Sequence, residues 1–364
     1  MPLGFNPEKP YNSLPPLPPA KDVETKSILR KAASCARAMG ELKGIARTIP
    51  NQAILIDSLI LQEAQSSTEI ENIVTTTDAV YQAFSAATTQ IDPATKEVLR
   101  YREALWYGFN QIKDRPVLST NLFIECVQIL KENQAGIRNT PGTKVVNEST
   151  RQIIYTPPEG ESVIRDKLAQ LEKYIHSDDG VDPLVKLALI HYQFEAIHPF
   201  SDGNGRTGRI VNLLYLVLHD LLEYPVLYLS KFIIENKSDY YRLLPEVTMD
   251  QAWIPWVEYI LTGIEETARF THDRILSIKS LLDKTIERAR EELPTTTYSK
   301  ELIELLFEQP YTKAKHVVDK GIVQRQAASR YLNALEEINI LKSQKVGREV
   351  LFLNTALYEL LTSN

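Results

Sequence analysis

Cysteine is nearly absent: Cys35 and Cys126 are the only two in a chain of 364 residues. They lie far apart within stretches of helical pattern, and no Cys-x-x-Cys or His-x-x-x-His pair occurs. That excludes a disulfide framework and a structural zinc site, and it fits reduced core thiols in a cytoplasmic protein. No charge-free apolar run reaches about 18 residues, so neither a membrane span nor a membrane partner is expected. The start lacks a basic and then apolar leader, so no secretory signal is expected. Charge of one sign is also in short supply. With 41 basic and 47 acidic residues the net charge is −6, which argues against broad nonspecific nucleic-acid binding. Internal repeats are not visible. What remains is ordinary globular material, 43% hydrophobic and 24% charged, long enough for two or three domains.

The densest chemistry lies in His198-Pro199-Phe200-Ser201-Asp202-Gly203-Asn204-Gly205-Arg206-Thr207-Gly208-Arg209. Upstream, Asp182-Pro183-Leu184 reads as a helix start, with Asp as the cap and Pro in the first turn. Helical periodicity follows over 184–197. Downstream, 210–218 is apolar nearly all round and predicts a buried helix. The motif is therefore a loop between two helices plus the first turn of the second. First-turn N–H groups lack internal partners and carry the positive end of the helix dipole, so an anion site follows. Gly203 and Gly205 are expected to adopt positive φ and let a ligand approach the backbone. Arg206 and Arg209 offer planar forks for phosphate oxygens. Asp202 suits Mg²⁺, and His198 suits proton removal from a hydroxyl.

The pattern His-Pro-Phe-x-Asp-Gly-Asn-Gly-Arg-x-x-Arg resembles the signature of the Fic family at every defined position. Members typically move AMP from ATP to a Ser, Thr or Tyr hydroxyl of a protein. The resemblance implies His198 as the catalytic base and Asp202 as the Mg²⁺ ligand. It implies an ATP-binding anion hole from Asn204 and the N–H groups of Gly203, Gly205, Thr207 and Gly208. Arg206 would face the β-phosphate and Arg209 the γ-phosphate. Relatives that transfer the γ-phosphate, the death-on-curing toxins, carry Lys where Gly205 stands, so Gly205 favours nucleotidyl transfer.

Three further segments join this reading. A long amphipathic helix is predicted over 51–75, and within it Ser67-Thr68-Glu69-Ile70-Glu71-Asn72 resembles the inhibitory motif of autoregulated Fic proteins. Ser67 and Glu71 would share one helix face. The implied chemistry is a salt bridge from Glu71 to Arg209 that fills the γ-phosphate position. Val145-Val146 and Gln152-Ile153-Ile154-Tyr155 predict two short strands around the turn Asn147-Glu148-Ser149-Thr150. A surface hairpin is the plain reading. By resemblance it is the flap, with Ile153, Ile154 and Tyr155 pairing with a target segment, and Gly136-Ile137-Arg138 matches the approach to it. Tyr240 and Tyr241 resemble a pair near the nucleotide base, although two core tyrosines on a helix would read the same. His191 reads as a packing histidine.

Residues 8–19 hold five prolines and predict an extended arm, ordered only where it lies on the body. Helical pattern runs over 26–87, 92–109 and 253–292, and Pro294-Thr295-Thr296-Thr297 is the clearest linker. The tail shows helices near 302–307, 312–319 and 323–338, then a hairpin turning at Gly347. This resembles a winged helix-turn-helix with Arg325, Arg330, Lys342, Lys345 and Arg348 available to phosphates. Contact with protein or with a second copy, a homodimer, is favoured over DNA binding, because Glu336 and Glu337 share the third helix. The expected fold is mainly α. It comprises an N-terminal helical region (1–95), a Fic helical core with a β-hairpin flap (96–275), a helical linker (276–297) and a winged-helix-like unit (298–364). The expected function is Mg²⁺-dependent protein adenylylation restrained by Glu71, with ATP and a hydroxyl-bearing protein, including the chain itself, as partners. The alternatives are a DNA-binding regulator and removal of AMP at the same site.

Overall fold

The computed structural model describes residues 5–86, 91–146 and 151–363, and the chain is mainly helical. The predicted flap turn over 147–150 and the chain start lie outside the described residues. Two buried helices, α7 (Pro183–Ile197) and α8 (Asn204–Leu218), form the centre. Asp182 caps α7 by accepting from the N–H groups of Leu184 and Val185, with Pro183 in the first turn where no N–H partner is needed. Nearly every residue of α7 from Leu184 to Ile197 is buried, because neighbours cover it on all sides.

The N-terminal helical pattern is not one helix but three: α1 (Lys26–Ala46), α2 (Ala53–Ile70) and α3 (Thr77–Ser85). Pro50 interrupts the first join. At the second, Asn72 takes a left-handed φ of +60°, with Asn72 N–H donating to Glu69 O at 2.9 Å and Ile73 N–H to Thr68 O at 3.3 Å. This Schellman arrangement ends α2 at Ile70, short of the predicted 75. Glu71 is therefore the residue after the helix, not a member of its face. The fourth helix, α4 (Pro93–Asp114), is capped by Asp92 and followed by α5 (Thr120–Lys131). The strands β1 (Val145–Val146) and β2 (Ile153–Tyr155) pair antiparallel, and α6 (Glu161–Ile175) leads to α7.

After α8 come α9 (Leu229–Glu235), α10 (Lys237–Asp250) and the 40-residue α11 (Trp253–Glu292). The last packs along α1, where Ser34 Oγ donates to Glu265 Oε1 at 2.7 Å beside the buried Cys35. The proline arm does lie on the body. Tyr11 N–H donates to Thr156 O at 3.0 Å, Lys167 Nζ to Leu14 O at 2.7 Å and Gln193 Nε2 to Pro15 O at 2.9 Å.

The tail begins with α12 (Lys300–Glu308), β3 (Tyr311–Thr312), α13 (Ala314–Asp319) and α14 (Arg325–Glu337). It continues with β4 (Lys342–Val346), β5 (Glu349–Leu353) and α15 (Thr355–Thr362), and its sheet has the order β3-β5-β4, all antiparallel. Val346 pairs with Glu349, and Gly347 supplies the positive φ of +60° that a two-residue hairpin loop favours. Sequence periodicity missed β3 and α15 and placed residues 312 and 313 in a helix. The tail docks on α2 and α3 through Ser58 Oγ to Glu308 O at 2.9 Å, Gln62 Nε2 to Leu361 O at 2.5 Å and Tyr311 Oη to Asp78 Oδ1 at 2.5 Å. No helix among the described residues is long and apolar enough to cross a membrane.

Candidate active site

The chain reverses at the end of α7. His198 takes a left-handed φ of +49°, uncommon for a residue with a Cβ, and the turn is locked by Arg138. Arg138 Nε donates to His198 O at 2.7 Å, Nη2 to Pro158 O at 2.5 Å, and its main-chain N–H to Pro199 O at 2.9 Å. A neutral imidazole carries one ring nitrogen able to accept a proton. Burial, with the Arg138 charge acting in the same direction, pushes the imidazole down to about 4, so it is neutral at physiological pH.

Asn204 closes the loop ahead of α8: its Oδ1 accepts from Phe200 N–H and its Nδ2 donates to Phe200 O, both at 2.8 Å. Both polar ends are thus spent inside the loop, and the first N–H groups of α8 are left without helical partners. Gly203 caps the helix at a φ of +82°. Gly205, expected at positive φ as well, is an ordinary helical residue. Its role is space: a Cβ there would collide with Glu71 Oε1 and lie 2.9 Å from Arg209 Nη1. Gly208 makes room in the same way for Glu195 Oε1.

Arg209 is buried and held by three bonds, two to Ser67 of α2 and one to Glu71 just beyond it. Its Nε donates to Ser67 Oγ at 2.8 Å, and its Nη2 donates to Ser67 O at 2.8 Å and to Glu71 Oε1 at 2.9 Å. Burial would raise the Glu71 carboxyl, but the Arg209 charge, the Arg209 hydrogen bond and the Arg206 charge outweigh it and hold the group below its usual range. Arg206 is equally buried, and its Nη1 pairs with Glu97 of α4. Its Nη2 lies 3.6 Å from Asp202 Oδ1, and Lys131 Nζ at the end of α5 lies 2.5 Å from Asp202 Oδ2. Asp202 is 61% exposed at the side chain, a hard carboxylate with oxygens open to solvent, so the residues present fit a Mg²⁺ ion held by one carboxylate and substrate oxygens.

These groups converge on a cavity of about 410 Å³. Glu71, Asn72, His198, Gly205 and Arg209 form its polar end. Val145, Val146, Ile154 and Tyr155 form one wall, and Tyr240, Tyr241, Leu244 and Thr248 of α10 form the other. Ser67, Ile153, Asp202, Gly203, Asn204, Arg206, Thr207 and Gly208 do not line it. Tyr240 is largely a core ring, its hydroxyl 3.0 Å from His191 Nε2, whereas Tyr241 is 43% exposed. His191 stacks on Trp256 and is pushed down to about 3 by burial and by Arg209, so it packs as a neutral ring. Sequence reasoning missed Glu97, Lys131 and Glu195. For Glu195 a signal existed: it lies four residues after His191, on the same face of α7, and one turn before the helix ends at the motif.

Comparison with known proteins decides the family. A family model described as Fic/DOC family matches residues 118–216, and one described as Fic/DOC family N-terminal matches 29–110. A third, Protein adenylyltransferase SoFic-like, C-terminal domain, matches 281–357. The chain belongs to the Fic/DOC family. It is similar to protein adenylyltransferase fic-1 of Caenorhabditis briggsae, 31% identical over 108 residues covering 29% of this chain and 20% of that protein. Protein adenylyltransferase Fic of Drosophila ananassae is 31% identical over 112 residues, 30% of this chain and 21% of that protein. The chain thus spans about a fifth of the length of these curated relatives. In fold it resembles the crystal structure of a Fic family protein from Desulfovibrio desulfuricans G20, with a TM-score of 0.56 and 18% identity over 93% of this chain and 98% of that one.

Proposed function

We propose that this Fic/DOC protein is a protein adenylyltransferase that moves AMP from ATP to a Ser, Thr or Tyr hydroxyl, restrained by Glu71. The observation that carries the reading is one cavity bounded by the His198 imidazole, the Arg209–Glu71 ion pair and the β1–β2 edge. The target hydroxyl enters along that edge, its segment adding as a strand. His198 takes its proton as the oxygen bonds to the α-phosphorus, and the bond to the β-phosphate oxygen breaks to release pyrophosphate. The α8 N–H groups face the phosphates, and Arg206, fixed by Glu97, supplies positive charge behind them. Asp202 would hold Mg²⁺, which neutralises phosphate charge when bound. Arg209 serves the γ-phosphate only when Glu71 lets go, so the ion pair is the restraint.

The test is label transfer to protein from ATP labelled at the α- or γ-phosphate, with Mg²⁺. Parent chain, Glu71→Gly, and Glu71→Gly with His198→Ala run side by side. The reading requires label from the α position only, strongest in Glu71→Gly and lost with His198→Ala. Label from the γ position alone would replace it with a kinase-like transfer, and equal labelling of parent and Glu71→Gly would remove the restraint.

A further inference from the structure

Asp202 is the only carboxylate of the motif, and a cation already sits on it. Lys131, the last residue of α5, places its ammonium 2.5 Å from Asp202 Oδ2. Packing aims it there. Its stem lies over Gly203, the cap of α8: a Cβ added at Gly203 would stand 3.3 Å from Val127 Cγ2 and 3.6 Å from Lys131 Cδ. The main chain is fixed as well. The α5 helix stops in a left-handed Glu132, φ +48°, whose N–H donates to Gln128 O and Ile129 O and whose carboxylate pairs with Arg100 of α4. Lys131 is therefore a fitted part of the motif loop, although the sequence places it on another helix.

Two cations face Asp202, and they differ in how firmly they are held. Arg206 is 2% exposed, pairs with Glu97, and lies 3.6 Å from Asp202 Oδ1, beyond hydrogen-bond distance. Lys131 makes the short contact, yet its side chain is 21% exposed and that of Asp202 61%, so water screens the pair and it breaks at small cost. A divalent ion on the same carboxylate would stand beside the ammonium, and like charges that close repel. Arg206 cannot give way without leaving its own buried charge and Glu97 uncompensated. Lys131 can, because water takes over its ammonium.

We propose that Lys131 is the resident counter-ion of Asp202: it competes with Mg²⁺ for the carboxylate and so raises the Mg²⁺ concentration that the site requires. This rests on the reading of Asp202 as the metal ligand given above. Lys131 acts through its charge on Asp202 and is assigned no contact with the reacting atoms.

The test uses the full chain, ¹⁵N-labelled and without nucleotide, and Mn²⁺ as the probe, because a paramagnetic ion erases the amide signals of residues close to it. The Mn²⁺ concentration that halves the Gly203 and Asn204 signals measures occupancy of Asp202, and the remaining signals show that each variant is folded. Lys131→Gln should need about twofold to fivefold less Mn²⁺ than the parent, the range for a partly exposed ion pair. Lys131→Arg keeps the charge and should stay near the parent. In Asp202→Asn the two signals should survive concentrations that erase them in the parent, whether or not Lys131→Gln is added. A Lys131→Gln midpoint equal to or above the parent's overturns the proposal. So does an equal fall in Lys131→Gln and Lys131→Arg, which would assign the effect to the packing of α5 and not to the ammonium. The same response in parent and Asp202→Asn would overturn the metal reading of Asp202 itself, and the two failures are thereby distinct.

Discussion

The motif segment 198–209 and the C-terminal unit 298–363 use the same basic side chains in opposite ways. In the first, Arg206 and Arg209 are each 2% exposed, and each is held by a carboxylate brought from far away in the sequence, Glu97 and Glu71. In the second, Arg325, Arg330, Lys342, Lys345 and Arg348 are all exposed. Charge buried among fixed partners is strong, oriented and unscreened, whereas exposed charge is diluted by water and salt. Chemistry that depends on placing a phosphate chain therefore belongs to the first region. The second contributes through its apolar and hydrogen-bonded docking on α2, the helix that carries Ser67.

The largest effect should come from His198→Ala. Removing a general base typically costs about 10²- to 10⁴-fold in rate, and AMP transfer should fall by that much while the melting temperature stays near the parent's. Next is Glu71→Gly, where two readouts should move in opposite directions. Transfer should rise by about tenfold or more, equivalent to about 1.4 kcal/mol off the barrier. Stability should fall, but by less than the about 3–5 kcal/mol of a fully buried pair, because the Glu71 side chain is 34% exposed and screened by water and the Ser67 bonds still hold Arg209. Calorimetric melting beside the label assay checks both. A variant that gained activity without losing stability would break the claim that this pair contributes to the fold as well as to the restraint.

How much of this was legible depended on whether the cause was local. The start of α7 was readable because Asp182 and Pro183 are sequence neighbours, and the span of α11 followed from its periodicity. The end of α2 was not, since a left-handed Asn72 leaves no mark on the hydrophobic pattern. Gly205 was read as a glycine of positive φ and Gly208 as one N–H group of an anion hole. Their actual constraint is room for the carboxylates of Glu71 and Glu195, which only the fold brings there. Glu97 and Lys131 were invisible for the same reason: nothing in α4 or α5 announces that its acid or base will meet the motif. β3 is two residues long and pairs with a strand about forty positions later, beyond any local signal.

Titration offers a finer probe of the buried region. His198 is pushed down to about 4 from 6.5, so the base is already deprotonated at pH 5.5 and transfer should stay level from pH 7.5 to 5.5 instead of halving near 6.5. Stability has competing parts. His198 and His191, at about 4 and about 3 in the folded chain, cost stability as pH falls below 6.5, because only the unfolded chain takes the proton there. Glu63 and Glu195, both pushed up to about 7 mainly by burial, act the other way: their contribution is full below 4.5 and is lost as pH rises through 7. Between pH 4.5 and 6.5 the two pairs offset one another, so the melting temperature should vary little. Glu195→Gln removes one carboxyl from that balance, and its melting temperature should then decline on acidification through the same window.

The smallest effects should come from the exposed charges of the tail. Arg325→Glu and Lys345→Glu remove basic side chains that face solvent on α14 and β4, and surface changes of this kind usually alter stability by less than about 0.5 kcal/mol. AMP transfer should be unchanged within error in both. The same two proteins also weigh the alternative in which the tail binds DNA. A parent chain that retained a duplex in a salt-dependent manner, and lost it on these reversals, would give the tail a role of its own. A change in transfer would mean something different, because neither residue approaches the cavity. It would have to travel through α14 and the sheet into the contacts of Glu308 and Leu361 with α2, and from there to Ser67 and Arg209. Only in that case would the exposed and buried charges be parts of one system.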